Sequence, residues 1–281
     1  VRTLLAALAL VAGILLAILA LFWFTQERLL YFPSRMITGS PADAGLPYDE
    51  VSIVSADSIR LHGWFVPAPS ARLTVLFCHG NGGNVSILTG TAAVFHRLGC
   101  NILLFDYRGY GRSEGTPGEE GTYADALAAW EHLTVTRGIP GDQVVVVGRS
   151  LGGAVAAWLA GRVQPAGLVL EAAFTSVPDM AAELYPWLPT SVLTRFRYDT
   201  RAAVAGVRAP LLVVHPRNDD VVPFSHGLAL YHAANDPKRF IELEGGHNDA
   251  FGWTQERYIT GLGRFFDEIR PGAGPPAGQG H

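Results

Sequence analysis

Cysteine is scarce: Cys78 and Cys100 are the only two in 281 residues. Two cysteines cannot build a disulfide framework, and their positions argue against even one bridge. Cys78 ends a predicted strand, Leu73–Cys78, and Cys100 just precedes another, Asn101–Phe105. In neighbouring parallel strands they would lie at opposite ends, well over ~10 Å apart at ~3.3 Å per residue and beyond the ~7 Å reach of a disulfide. Neither belongs to a His/Cys cluster with ligand spacing, which disfavours a metal hydrolase; both read as small buried hydrophobes. Charge is also thin. Asp, Glu, Lys and Arg make up 16% of the chain and the formal net charge is −4. No basic stripe exists, so nucleic acid is not an expected partner. The glycine-rich stretch His79-Gly80-Asn81-Gly82-Gly83-Asn84 lacks the following Gly-Lys-Ser/Thr that a phosphate cradle needs. No cofactor and no metal are expected.

From Thr3 to Phe24 the chain is almost wholly apolar and carries no charge. These 22 residues, at about 1.5 Å each, span roughly 33 Å, enough for a bilayer core. A cleaved signal peptide would have a shorter apolar region and a small-x-small end. Here the run closes on Leu21-Phe22-Trp23-Phe24, an aromatic cluster suited to a membrane interface. Residues 1–25 are therefore read as a single-pass N-terminal transmembrane anchor, with residues 3–24 contacting membrane, and 26–46 as a connecting segment. Arg2 and the terminal amine on one flank nearly balance Arg28 and Arg35 on the other, so the charges assign no orientation.

Beyond the anchor, Val51–Ser55 and Ile59–Val66 read as a hairpin around Ala56-Asp57-Ser58. Strand and helix then alternate: Leu73–Phe77, Ser86–Leu98; Asn101–Phe105, Thr122–Arg137; Gln143–Val147, Leu151–Gly161; Gly167–Leu170. Phe174–Thr200, with Pro178, Pro186, Trp187 and Pro189, interrupts the alternation as a short helical cap insertion. Leu211–His215, Phe224–Ala233, Arg239–Leu243 and Gln255–Ile269 resume it. The pattern predicts an α/β domain over 47–270, with a mostly parallel central sheet, helices on both faces and the cap at 174–200. The Pro/Gly-rich tail, 271–281, reads as disordered. Sites in such sheets lie at the carboxyl ends of the strands.

Gly148-Arg149-Ser150-Leu151-Gly152 lies between the β-branched run Val144–Val147 and the helix-forming run Ala154–Ala160. A serine there sits on a tight turn, above the sheet and near the positive end of a helix dipole, flanked by glycines because side chains would clash. Ser150 is thus the candidate nucleophile. It needs a base, and the base an orienting acid. His247, in the loop Glu244-Gly245-Gly246-His247-Asn248-Asp249 after the last strand, is the candidate among nine histidines. His62, His96, His132, His226 and His232 fall in or beside elements, and His79 reads as a structural hydrogen-bonding residue. Asp219, after Leu211–His215, is the first candidate acid; Asp220 and Glu171 compete with it. Oxyanion donors are assigned to the amide of Leu151, directly after the nucleophile, and the amide of Asn81.

These segments, together with Asp106–Gly115 and Asp219–Pro223, occur in an order that resembles the α/β-hydrolase superfamily, in particular its N-terminally membrane-anchored serine hydrolases. Phe224–Tyr231 is similar to the branch containing protein depalmitoylases, whose N-terminal cysteine cluster is replaced here by an apolar helix. Gly148–Gly153 also resembles the serine aminopeptidase group. The resemblance implies an α/β-hydrolase fold, a structural role for the Asp106 loop, and a Ser-His-Asp triad that cleaves an ester, thioester or lipid acyl bond through an acyl-enzyme. The expected partner is a small-molecule or lipid acyl substrate, taken up beneath an apolar cap in which Leu184, Trp187 and Leu188 line the pocket or, equally, form the core of the cap. A peptidase with the same triad, and a non-catalytic membrane-tethered binding module, are the alternatives. A haloalkane dehalogenase is disfavoured, because its nucleophile would be a carboxylate at position 150.

Overall fold

A computed structural model describes residues 1–250 and 255–269. Helix α1 (Arg2–Leu30) leads into β1 (Phe32–Pro33), the hairpin β2 (Asp49–Val54) and β3 (Arg60–Val66), then β4 (Leu73–Cys78), β5 (Gly82–Gly83), α2 (Thr89–Arg97) and β6 (Cys100–Phe105). Next come α3 (Glu119–Glu131), β7 (Val144–Arg149), α4 (Leu151–Ala160), β8 (Gly167–Glu171), α5 (Val177–Leu184), α6 (Thr190–Leu193) and α7 (Thr200–Ala205). The chain continues through β9 (Leu211–Pro216), α8 (Phe224–Ala233), β10 (Lys238–Leu243) and α9 (Gln255–Ile269).

Eight strands form one sheet in the order β2-β3-β6-β4-β7-β8-β9-β10. Only the pairs β2–β3 and β3–β6 are antiparallel; the others run parallel. The central strands β4 and β8 and the Val144–Val147 stretch of β7 are buried throughout, as strands covered on both faces are, and all but Thr74 and Glu171 in them are apolar or glycine. One core layer packs α3, α4 and α8 through Ala129, Val155 and Leu230. The opposite layer packs α2 and α9 through Phe95, Tyr258, Leu262 and Phe266. On α9 the buried set Tyr258, Leu262, Phe265 and Phe266 follows helical i, i+4, i+7, i+8 spacing, and each such side chain contributes about 1.5–3 kcal/mol by leaving water.

Cys100 pairs with Leu73, at the far end of β4 from Cys78, and both thiols are free and buried. Two predicted helices shift. The one expected from Ser86 opens with a 3-10 turn, Val85–Leu88, and the one expected from Thr122 starts at Glu119 and ends at Glu131 in a π turn, His132–Thr136. Glu119 and Glu120 in its first turn favour the earlier start through the helix dipole.

The helix does not stop with the span assigned to residues 1–25. Helix α1 runs five residues further, to Leu30, because Gln26, Glu27 and Arg28 are good helix formers and no proline occurs before Pro33. The connecting segment is also ordered against the domain: β1 pairs with β5, and buried Asn84 donates to the carbonyls of Ser34 (3.0 Å) and Met36 (2.7 Å). The tail at 271–281 lies outside the described residues.

Candidate active site

Ser150 alone separates β7 from α4, with φ 54° and ψ −119°. A non-glycine residue at positive φ costs on the order of 1–3 kcal/mol and persists only where its surroundings hold it. Here the Ser150 amide donates to the Glu171 carbonyl (2.8 Å), and the Gly153 amide donates to the Ser150 carbonyl (2.9 Å). A Cβ on Gly148 would lie 2.2 Å from the Gly152 carbonyl oxygen, and one on Gly152 would lie 2.0 Å from that of Cys78. The glycines are therefore steric requirements of the turn, as the pentapeptide implied.

His247 and Asp219 come together from the loops after β10 and β9. His247 Nδ1 lies 2.8 Å from Asp219 Oδ2 and 3.1 Å from Oδ1. Asp219 Oδ1 also accepts from the amides of Val221 (2.9 Å) and Val222 (2.8 Å). Burial of Asp219 pushes its pKa upward, but hydrogen bonds from His247 and the two amides outweigh that and hold it below the usual carboxylate range. The carboxylate is ionised at neutral pH, so it accepts from His247 Nδ1–H and leaves Nε2 as the basic nitrogen.

The competing carboxylates have other partners. Asp220 accepts from the His247 backbone amide at 2.9 Å, so it fixes the loop while Asp219 fixes the ring. Glu171 pairs with the Arg149 guanidinium (2.7 Å) and with the Tyr258 hydroxyl. Beneath Asp219, the fully buried His215 places Nε2 2.9 Å from the Val222 carbonyl oxygen, supporting the turn from below. Its position at the end of a strand was visible in the sequence; its packing role was not. His226 is likewise structural: its Nδ1 accepts from the Thr175 amide at 3.1 Å.

The loop after β4 faces the serine. A Cβ on Gly80 would sit 3.7 Å from Ser150 Cβ. Asn81 is held by three contacts: its carbonyl accepts from the Phe32 amide (2.9 Å) and the Tyr110 hydroxyl (2.8 Å), and its Nδ2 donates to the Leu30 carbonyl (3.0 Å). Leu151 opens α4, so its amide belongs to the helix's positive end. His79 is buried, with its ring 4.3 Å from that of Tyr107; burial lowers its pKa. Asp106 is fully buried and accepts from the Val85 amide at 2.8 Å.

Ser150, His247, Gly80 and Asn81 line one cavity of about 710 Å³, within the usual range for ligand pockets. Leu184 and Leu188 line it as expected, but Trp187 does not. α5 ends at Leu184, and the Tyr185–Leu188 turn leaves Trp187 75% exposed, edge-on to Tyr185. The sequence reading also missed a wall built by Phe22, Gln26, Leu29 and Leu30 of α1. Their 3–4 residue spacing, continuing past the apolar run, was the available signal.

A family model described as the alpha/beta hydrolase fold matches residues 74–207. The α/β hydrolase domain-containing protein WAV2 of Arabidopsis thaliana is 36% identical over 92% of this chain and 93% of its own length. The chain belongs to the α/β-hydrolase family. The hydrolase is also 40% identical to the uncharacterized protein Rv2307c of Mycobacterium tuberculosis, over 86% of this chain and 87% of that one. In fold it resembles the Pyrococcus furiosus esterase Pf2001, with a TM-score of 0.72 at 19% identity over 86% of this chain and 98% of the esterase.

Proposed function

We propose that this hydrolase is a membrane-anchored serine hydrolase that cleaves ester or thioester bonds through an acyl-enzyme. The observation that carries the reading is the His247 ring, oriented by an ionised Asp219 in the same cavity as Ser150 on its strained turn. Ser150 Oγ attacks the acyl carbonyl while His247 Nε2 takes its proton; Asp219 stabilises the imidazolium. The amides of Asn81 and Leu151 receive the oxyanion, each worth on the order of 10²–10³ in rate. His247 returns the proton to the leaving group. Water, activated by the same ring, then hydrolyses the acyl-enzyme.

An acyl substrate is favoured over a peptide by the cavity lining. Phe174, Val177, Met180, Leu193 and Phe196 are apolar, and among the described residues no Asp or Glu lines the cavity to receive a substrate amine. Anchoring rests on α1, a 29-residue helix whose most apolar 18-residue window has a mean hydropathy of 3.0 and is unburied. An unburied helix is not a core helix. Its last turns are built into the domain, which favours a retained anchor over a cleaved signal. Gln26 Nε2 donates to the Leu193 carbonyl (2.9 Å), and Gln26 Oε1 accepts from the Arg195 amide (2.7 Å).

The test is fluorophosphonate labelling of the full chain, followed by acetyl-to-palmitoyl esters, thioesters and aminoacyl anilides. Labelling should vanish in Ser150→Ala, with esters or thioesters turned over in preference to anilides. A wild type that never labels would leave a non-catalytic binding module; a preference for anilides would make it a peptidase.

A further inference from the structure

The apolar run of α1 and the wall of the cavity overlap. The run extends from Thr3 to Phe24, and the wall starts at Phe22 and continues through Gln26, Leu29 and Leu30. Those four residues share one helix face by i, i+4, i+7, i+8 spacing. The wall follows α1 for roughly 12 Å, at about 1.5 Å per residue, starting in the last turn of the segment long enough to cross a bilayer. A cavity in a water-facing enzyme has no reason to border its own anchor. This one borders it along that whole stretch.

The rim is apolar on the same side. Leu29 is 60% exposed, and Leu184, Trp187 and Val192 of the cap are 64%, 75% and 73% exposed. The cap is fastened to α1 through Gln26, and through an ion pair between Arg195 and Glu27. Its exposed apolar tip therefore lies beside the helix that enters the membrane. Trp23 and Trp187, both exposed, are side chains that favour the bilayer interface. An apolar patch continuous with a membrane-crossing helix is covered by lipid.

We propose that the cavity opens into the bilayer between α1 and the cap, and that its substrate is the long acyl chain of a membrane-resident ester. The chain lies along the Phe22–Leu30 face of α1 while the carbonyl reaches Ser150. The anchor is then part of the substrate site, and it selects acyl length. This rests on the reading of Ser150 as nucleophile, so the experiment reports on both.

The full chain is reconstituted in phosphatidylcholine vesicles and given 4-methylumbelliferyl palmitate or acetate. Leu29→Trp narrows the α1 wall, and Leu10→Trp adds the same bulk to an exposed position of α1 outside the cavity. The palmitate-to-acetate ratio should fall on the order of tenfold in Leu29→Trp, equivalent to losing about two buried methylenes, and stay at the wild-type value in Leu10→Trp. If Leu29→Trp fails to fold, Phe22→Ala widens the wall instead and should move the optimum to longer chains. An unchanged chain-length profile in a variant whose Ser150 still labels with fluorophosphonate overturns the lateral entry alone. A wild type that neither labels nor hydrolyses either ester overturns the nucleophile and the entry route together.

Discussion

Asp219→Asn isolates what the carboxylate does for His247. The side chain keeps its shape, and the Asn carbonyl oxygen can still accept from the Val221 and Val222 amides, so the turn stays closed. The atom facing His247 Nδ1 becomes an NH₂ donor, however. Nδ1 must then accept, which moves the ring proton to Nε2 and removes the lone pair that takes the Ser150 proton. Electrostatics gives a similar magnitude. At the 2.8 Å separation, a carboxylate and an imidazolium attract by about 6 kcal/mol at an effective dielectric of ~20. At 1.36 kcal/mol per decade that is roughly 10⁴ in rate. The expected result is a kcat for a soluble acetyl ester lower by about 10³–10⁴, a matching loss in fluorophosphonate labelling rate, and an essentially unchanged thermal melt. Asp220→Asn is the partner measurement, because an Asn there still accepts from the His247 amide and activity should hold within a fewfold. A tenfold or smaller loss in Asp219→Asn, or an equal loss in Asp220→Asn, would refute the assignment of roles.

Gly152→Ala drives a methyl into the Cys78 and His79 carbonyl oxygens, 2.0 and 2.5 Å away, and should cost about 3 kcal/mol or more. A differential scan should show Tm lower by on the order of 10 °C, whereas Gly161→Ala, with nothing nearer than 3.6 Å, should be neutral or slightly stabilising. Gln26→Ala leaves the Arg195 amide and Leu193 carbonyl without partners, a penalty of about 1–3 kcal/mol. Hydrogen exchange should accelerate at 190–195 and not in the sheet. Burial holds the pKa values of His79, His215 and His226 below the ordinary histidine value, so each charges more readily unfolded than folded. Their contribution to stability is complete above about pH 6.5 and is lost as pH falls through that value toward the lowered ones. Tm should therefore decline below about pH 6.5, above the carboxylate range; a flat profile there would contradict the neutral, buried assignment.

The sheet was legible because its signals are local. Val144–Val147 and Leu73–Cys78 are short, β-branched and almost wholly apolar runs bounded by turn residues, as a doubly covered parallel strand requires, and the glycines around Ser150 encode a steric demand met within a few residues. The separation of roles between Asp219 and Asp220 was not legible. It depends on which oxygen meets a ring and which meets an amide, across 27 and 28 residues of sequence separation. The outward turn of Trp187 was hidden for a related reason: composition says that a cap is apolar but not which side chain faces inward. The α1 wall was missed because the apolar run ends at Phe24 while the helix continues to Leu30, and a boundary drawn by hydropathy is not one drawn by hydrogen bonding.

The extra turns of α1 connect that helix to the chemistry. The Leu30 carbonyl, at the end of α1, is one of the free carbonyls of a helix terminus, and Asn81 Nδ2 satisfies it. Phe32 donates to the Asn81 carbonyl, Ser34 to that of Gly83, and β1 pairs with β5. The loop proposed to supply an oxyanion amide is therefore attached to the exit of α1 on both its side-chain and backbone faces. A displacement of under 1 Å in that amide takes a donor away from the oxyanion position, at a cost on the order of 10²–10³ in rate. Removing α1 would thus do more than take away the proposed anchor. It would free Asn81 Nδ2 and open one wall of the cavity, so a chain shortened to start after Leu30 should lose turnover even of a soluble acetyl ester.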